Sequence, residues 1–345
     1  MSLHVRARSR ALLAVAAVAA SGATSASALT IRPIFDSSIT SLANAATVEA
    51  AFTTVANQFD AAFSTPVTIK IGVSWGKVNG SSLGTGNIAA SQSSLTGPFA
   101  YSDIVDAFQA NAAANPGDAN MVSAAANLPT ISPAGSLSYE LPYAEAQALG
   151  YLPASINPNS GYVGFSSAVK WDFNGADGVT AGAYDFQGLA AHEISEVLGR
   201  ITGLHGTQPT YATMFDALRY AAAHVSSFSF SSAAYLSVDG GVTNLGQFNL
   251  AGSGDRSDLY AIKGDAQDAA LSSGTLYGLS NSDLIALDVL GWGSWAPTGS
   301  GGAIGSLSPS AISHAMSTPE PSTWMMLLLG FGLVGAAARR APRLA

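Results

Sequence analysis

The stretch Ala191-His192-Glu193-Ile194-Ser195-Glu196-Val197-Leu198-Gly199-Arg200 decides how this chain is read. Leu189, Ile194, Val197 and Leu198 give it an apolar side, and the spacing predicts a helix over 184–199. His192 and Glu196 stand at i and i+4, so they project from one face, one turn apart. Two side chains so placed can share a metal ion. Glu193 lies beside them, and Gly199 suits the end of the helix, where positive φ is common.

Outward from this segment, the pattern is a mixture of helices and strands, an α/β or α+β chain. Leu29 to Phe35 reads as a short strand. Val48, Phe52, Val55, Phe59 and Phe63 recur every three or four residues, one face of a helix over about 42–63. Val67, Ile69, Ile71, Val73 and Trp75 alternate strictly, which predicts a strand over 66–75 with one buried face. Helices are expected at 101–113 and 142–149, a strand at 162–173, and a second helix after the ligand helix near 211–223. A hairpin is expected around Asp239-Gly240-Gly241 within 233–250, and a last helix at Leu284, Ile285, Leu287 and Leu290.

Charged residues make up 10% of the 345-residue chain and hydrophobic ones 48%, so a sizeable core can form. The basic residues gather at the ends, with Arg6, Arg8 and Arg10 at one and Arg339, Arg340 and Arg343 at the other. Between them, residues 29–318 keep 8 basic against 21 acidic residues. That balance argues against a nucleic-acid surface, which needs clustered Lys or Arg, and it permits cation binding. The chain has no cysteine, which excludes a disulfide scaffold, thiolate metal sites and cysteine nucleophiles. No phosphate loop, dinucleotide fingerprint or Gly-x-Ser-x-Gly elbow is present.

Both ends read as addresses. Arg6, Arg8 and Arg10, the apolar run 11–20 and Ala26-Ser27-Ala28 form a secretory signal over 1–28. Residues 297–318 are rich in Gly and Ser, a linker composition. Pro319-Glu320-Pro321-Ser322 precedes an apolar run at 323–338 and then Arg339-Arg340. At about 1.5 Å per residue that run covers roughly 24 Å, short of the roughly 30 Å hydrocarbon core, a gap that bilayer thinning or anchoring by Trp324 and the arginines can close. It is predicted as a single transmembrane helix with its arginines at the cytoplasmic end. Residues 29–296 remain as the working domain, with no internal repeat to suggest a β-solenoid adhesin.

The 319–343 tail resembles the PEP-CTERM sorting signal of Gram-negative bacteria. That resemblance implies export through the inner membrane, handling by an exosortase-type machinery, and a final place at the cell surface or outside the cell. The His-Glu-Ile-Ser-Glu helix resembles the zincin metalloprotease helix, whose motif is His-Glu-x-x-His, with Glu196 in place of the second histidine. Together with Phe215-Asp216-Ala217-Leu218-Arg219-Tyr220, the segment from Ser237 to Leu245, and Asp288-Val289-Leu290-Gly291-Trp292, the chain resembles a group of PEP-CTERM-bearing predicted metalloproteases.

The resemblance implies a zincin-like domain over 29–296 that hydrolyses peptide bonds in a protein or peptide substrate, a metalloendopeptidase. His192 and Glu196 would hold Zn2+, and Glu193 would be the general base. The third ligand is expected at Asp216, with His205 as the alternative, and Tyr211 or Tyr220 could donate a hydrogen bond to the tetrahedral intermediate. Asp172, Asn174 and Asp177, and separately Asp255, Asp258, Asp265 and Asp268, form two acidic turns that invite a Ca2+ reading. The rival to the enzyme is a non-catalytic cell-surface or extracellular-matrix protein with a degenerate zincin fold.

Overall fold

The alternation at residues 67–75 produces the strand Thr68–Trp75, with Ile69, Ile71 and Val73 buried. In the computed structural model, which describes residues 29–293 apart from 85, 157, 206–207, 251–253 and 261, this strand is central to a four-stranded sheet. Thr30–Phe35 pairs with it in parallel on one side and Gly161–Phe165 in parallel on the other. Ala89–Ser93 joins Gly161–Phe165 antiparallel and forms the edge.

The helix Ala45–Ala62 buries Val48, Phe52, Val55 and Phe59, the face set by their spacing. It packs on the first strand and against the helix Phe186–Val197, which itself lies along Gly161–Phe165 and Ala89–Ser93. Glycine at 161 permits this close approach, since a Cβ there would lie 2.7 Å from Val197 Cγ1. Phe165 ties the layers together, in contact with the rings of Phe52, Trp75, Trp171 and Phe186.

A small antiparallel sheet runs in the order Val225–Ser226, Arg219–Ala222, Tyr235–Leu236, Gly246–Gln247. The last helix, Asn281–Leu287, is capped reciprocally by Ser280 and Asp283. It leads into a turn ending at Trp292, whose indole N–H donates to Leu198 O at 2.8 Å. That bond satisfies one carbonyl left open at the end of Phe186–Val197. Gly199 follows with φ 133°, a conformation that a side chain would strain.

Several expectations change. The segment 211–223 is not a helix: a short turn, Phe215–Leu218, passes directly into the strand Arg219–Ala222. Strand pairing with Tyr235–Leu236 wins there over helical spacing. The expected strand 162–173 is two strands, Gly161–Phe165 and Trp171–Asp172, because Ser166 turns the chain by accepting from Ala168 N. A helix at Ala119–Asn127 was not anticipated, its small residues giving little periodic signal. The predicted signal 1–28, linker 297–318 and transmembrane run 323–338 lie outside the described residues. Among the described residues, no helix is long and apolar enough to cross a membrane.

Candidate metal centre

The helix Phe186–Val197 begins at Asp185, whose carboxylate accepts from Gln187 N at 3.1 Å and Tyr277 N at 2.9 Å. These bonds satisfy a donor of the first turn and pin the helix to the 277 segment. His192 and Glu196 then face one point. His192 Nε2 lies 3.5 Å from Glu196 Oε1 and 3.6 Å from Asp258 Oδ1. One donor atom from each of the three residues lies within 4.8 Å of the others, and all three residues are buried.

Every other atom of these side chains is engaged. His192 Nδ1 meets Ala266 O at 2.7 Å. A carbonyl can only accept, so Nδ1 carries a proton, and Nε2 is the ring nitrogen that faces the centre. Glu196 Oε2 accepts from Ser91 Oγ at 2.7 Å. Asp258 Oδ2 accepts from Asp255 N at 3.0 Å, while Asp258 Oδ1 is buried with no hydrogen-bond partner. Gln267 Nε2 donates to Ser195 Oγ and to His192 O, clamping the loop to the helix.

The electrostatics are those of a site short of positive charge. Burial and the neighbouring Glu196 push the Glu193 carboxyl well above the usual carboxylate range, and its Oε2 is also buried without a partner. Burial raises Asp258 to about 7. Burial alone would lower His192, but Asp258 and Glu196 beside it hold its pKa well above the ordinary value. Burial would raise Glu196 too, and hydrogen bonds with His192 and Ser91 bring it below its ordinary value. Buried carboxylates with an orphaned oxygen are costly unless a cation offsets them. The donor set of one imidazole and two carboxylates fits a divalent cation, and zinc accepts both ligand types.

The structure does not bring Asp216 to this centre. Its Oδ2 accepts from Gly203 N, Thr213 N and Thr213 Oγ1, and its Oδ1 accepts from Thr202 Oγ1. These bonds hold the Asp216 carboxylate in the 202–213 turn, and Asp258 lies at the third corner instead. His205 is exposed, its ring facing Tyr211 at 6.2 Å, and it is not among the converging donors. Tyr220 Oη is committed to Asn127 O. Tyr211 is partly buried, and its hydroxyl pKa is raised by burial and by nearby carboxylates that include Asp255.

Of the two acidic turns, Asp172 is spent on Asn174 N, Thr180 N and Thr180 Oγ1. In the other, Asp258 meets His192 and Glu196, while Asp265 and Asp268 accept from Gln267 N and Ala270 N. Among the described residues no second cluster of metal-ligating side chains is found. Sequence reasoning placed Asp258 in a separate acidic turn with a Ca2+ reading and did not bring it together with His192 and Glu196. Ser91 sits in a Ser-rich run with nothing to distinguish it.

Comparison with known families adds one match. The model of the PEP-CTERM protein-sorting motif matches residues 317–341. The motif implies recognition by exosortase sorting machinery, export, and surface or extracellular placement after processing. No curated protein and no solved structure matches the chain.

Proposed function

We propose that this exported protein is a metal-dependent hydrolase of peptide bonds. His192, Glu196 and Asp258 hold a divalent cation, zinc by the zincin resemblance. One observation carries the reading: three buried donor atoms from a helix and a distant loop converge, with the buried, unpartnered Oε2 of Glu193 beside them. When bound, the cation supplies Lewis acidity to the substrate carbonyl and to water. Glu193 takes the proton of the attacking water and returns it to the departing amine, so one water is consumed for each bond broken.

The edge strand supports an extended substrate. Ser94 N bonds Ser160 O and Ser166 N bonds Ile88 O, so even-numbered residues of Ala89–Ser93 turn their backbone toward the sheet. The backbone groups of Ala89, Ser91 and Ser93 therefore face its open side, available to a peptide strand. The test is zinc uptake by the full chain and by Asp258→Asn, alongside hydrolysis of an unfolded protein. One zinc per chain that Asp258→Asn loses, together with zinc-dependent cleavage, is the expected result. A chain that takes up no zinc and cleaves nothing is the non-catalytic surface protein instead.

A further inference from the structure

We infer that Arg219, stacked on Phe248, is a positioning residue for the third metal ligand; this rests on the metal-site reading above. Asp258 lies in no helix or strand, so something else must fix it. Two buried arginines do so. Arg219 Nη1 donates to Arg256 O at 2.9 Å, and Arg200 Nη2 donates to Ser257 O at 3.4 Å. These are the carbonyls of the two residues that precede Asp258.

Each guanidinium lies over a ring. Arg219 sits 3.8 Å from the Phe248 centroid and Arg200 5.3 Å from that of Phe215. The two rings meet edge to face at 5.5 Å. All four side chains are at most 2% exposed. The stack thus holds two arginine forks at fixed height in the interior, and a planar fork on a ring loses little freedom when it bonds a carbonyl.

The neighbouring bonds continue the same frame. Asn249, next to Phe248, donates its N–H to Asp258 O at 2.9 Å and its side-chain amide to Asp255 O at 3.1 Å. Phe248 is therefore both the seat of Arg219 and the residue before the one that grips Asp258. Arg200 leaves the ligand helix directly after Gly199, so helix and loop are braced against one another. Partners behind the ligands of a metal commonly set its affinity by such orientation.

The test is a Co2+ titration of the full chain followed by visible absorption, on the wild type, Arg219→Met, Arg219→Lys, Phe248→Leu and Asp258→Asn, with circular dichroism as the check of folding. Arg219→Met and Phe248→Leu should bind Co2+ roughly 10- to 100-fold more weakly, with an absorption band moved toward that of Asp258→Asn. Arg219→Lys should recover part of the affinity, since its ammonium can still reach Arg256 O. Folded variants with wild-type affinity and band overturn the positioning role and leave the metal site standing. If Arg219→Met fails to fold, Phe248→Leu decides, because it keeps the charge and the hydrogen bond and removes only the seat. A wild type that takes up no Co2+ removes the metal site, and the positioning role with it.

Discussion

Ser91 on the edge strand and Glu196 on the ligand helix are joined by a 2.7 Å hydrogen bond. The bond holds Oε2 away from the centre and leaves Oε1 as the donor facing His192. Ser91→Ala frees Oε2, so the carboxylate can rotate out of position. Zinc affinity should fall roughly 10-fold, and Ser91→Thr, which keeps the hydroxyl, should retain it. Competition against a chelator measures both. Equal affinity in all three chains removes Ser91 from the site.

Glu193→Gln keeps the size of the side chain and removes its ability to take a proton. Zinc content should be unchanged, because Glu193 is not among the three converging donors. Hydrolysis of an unfolded protein should drop by about 10²-fold or more, the scale of a lost general base. Full activity in this variant would place the base elsewhere.

What the sequence makes legible is what the chain decides locally. The spacing of Val48, Phe52, Val55 and Phe59 fixes one buried helix face, and the alternation from Val67 to Trp75 fixes one strand. His192 and Glu196 are four residues apart, so one helical turn joins them whatever the rest of the fold does. Asp258 is different. It reaches the centre through a loop held by contacts with Arg200, Arg219 and Asn249, and no local pattern encodes that meeting. Asp216 misleads for a readable reason. Thr213 and Asp216 cap one another, Thr213 N donating to Asp216 Oδ2 and Asp216 N to Thr213 Oγ1. Thr-x-x-Asp is the spacing of a capping box, so this carboxylate was marked for structure before any metal.

Asp60 offers a test of stability away from the site. It lies in the last turn of Ala45–Ala62, where a negative charge opposes the helix dipole. Burial raises its pKa to about 6 although Ile31 N donates to it. The folded chain therefore prefers the protonated form. That preference contributes stability fully below the unfolded value of 3.8 and loses it as pH rises through about 6. Asp60→Asn keeps an oxygen for Ile31 N and is never charged. It should match the wild type in urea unfolding near pH 4 and exceed it by about 1 kcal/mol near pH 7.5, after discounting for the half-exposed position. A gap that widens toward acid would contradict this account.

Asp216 and Asp258 should part company when each is changed to asparagine. Asp216 takes four hydrogen bonds in the interior, and an amide would turn a donor toward donors that need an acceptor. Unfolding free energy should fall by about 2–3 kcal/mol, the scale of lost bonds to a buried charge. The molecules that remain folded should still bind zinc as the wild type does. Asp258→Asn changes a carboxylate whose Oδ1 has no hydrogen-bond partner but lies 3.6 Å from His192 Nε2, so burial relieved and ion pair lost offset one another and the metal-free chain should melt close to the wild type. What it should lose is the rise in melting temperature that zinc should give the wild type by binding the folded state. Thermal melts with and without zinc on the three chains separate the roles in one experiment. An Asp216→Asn chain with unchanged stability and no zinc response would return the third ligand to Asp216, and the loop that carries Asp258 would then be only a wall of the site.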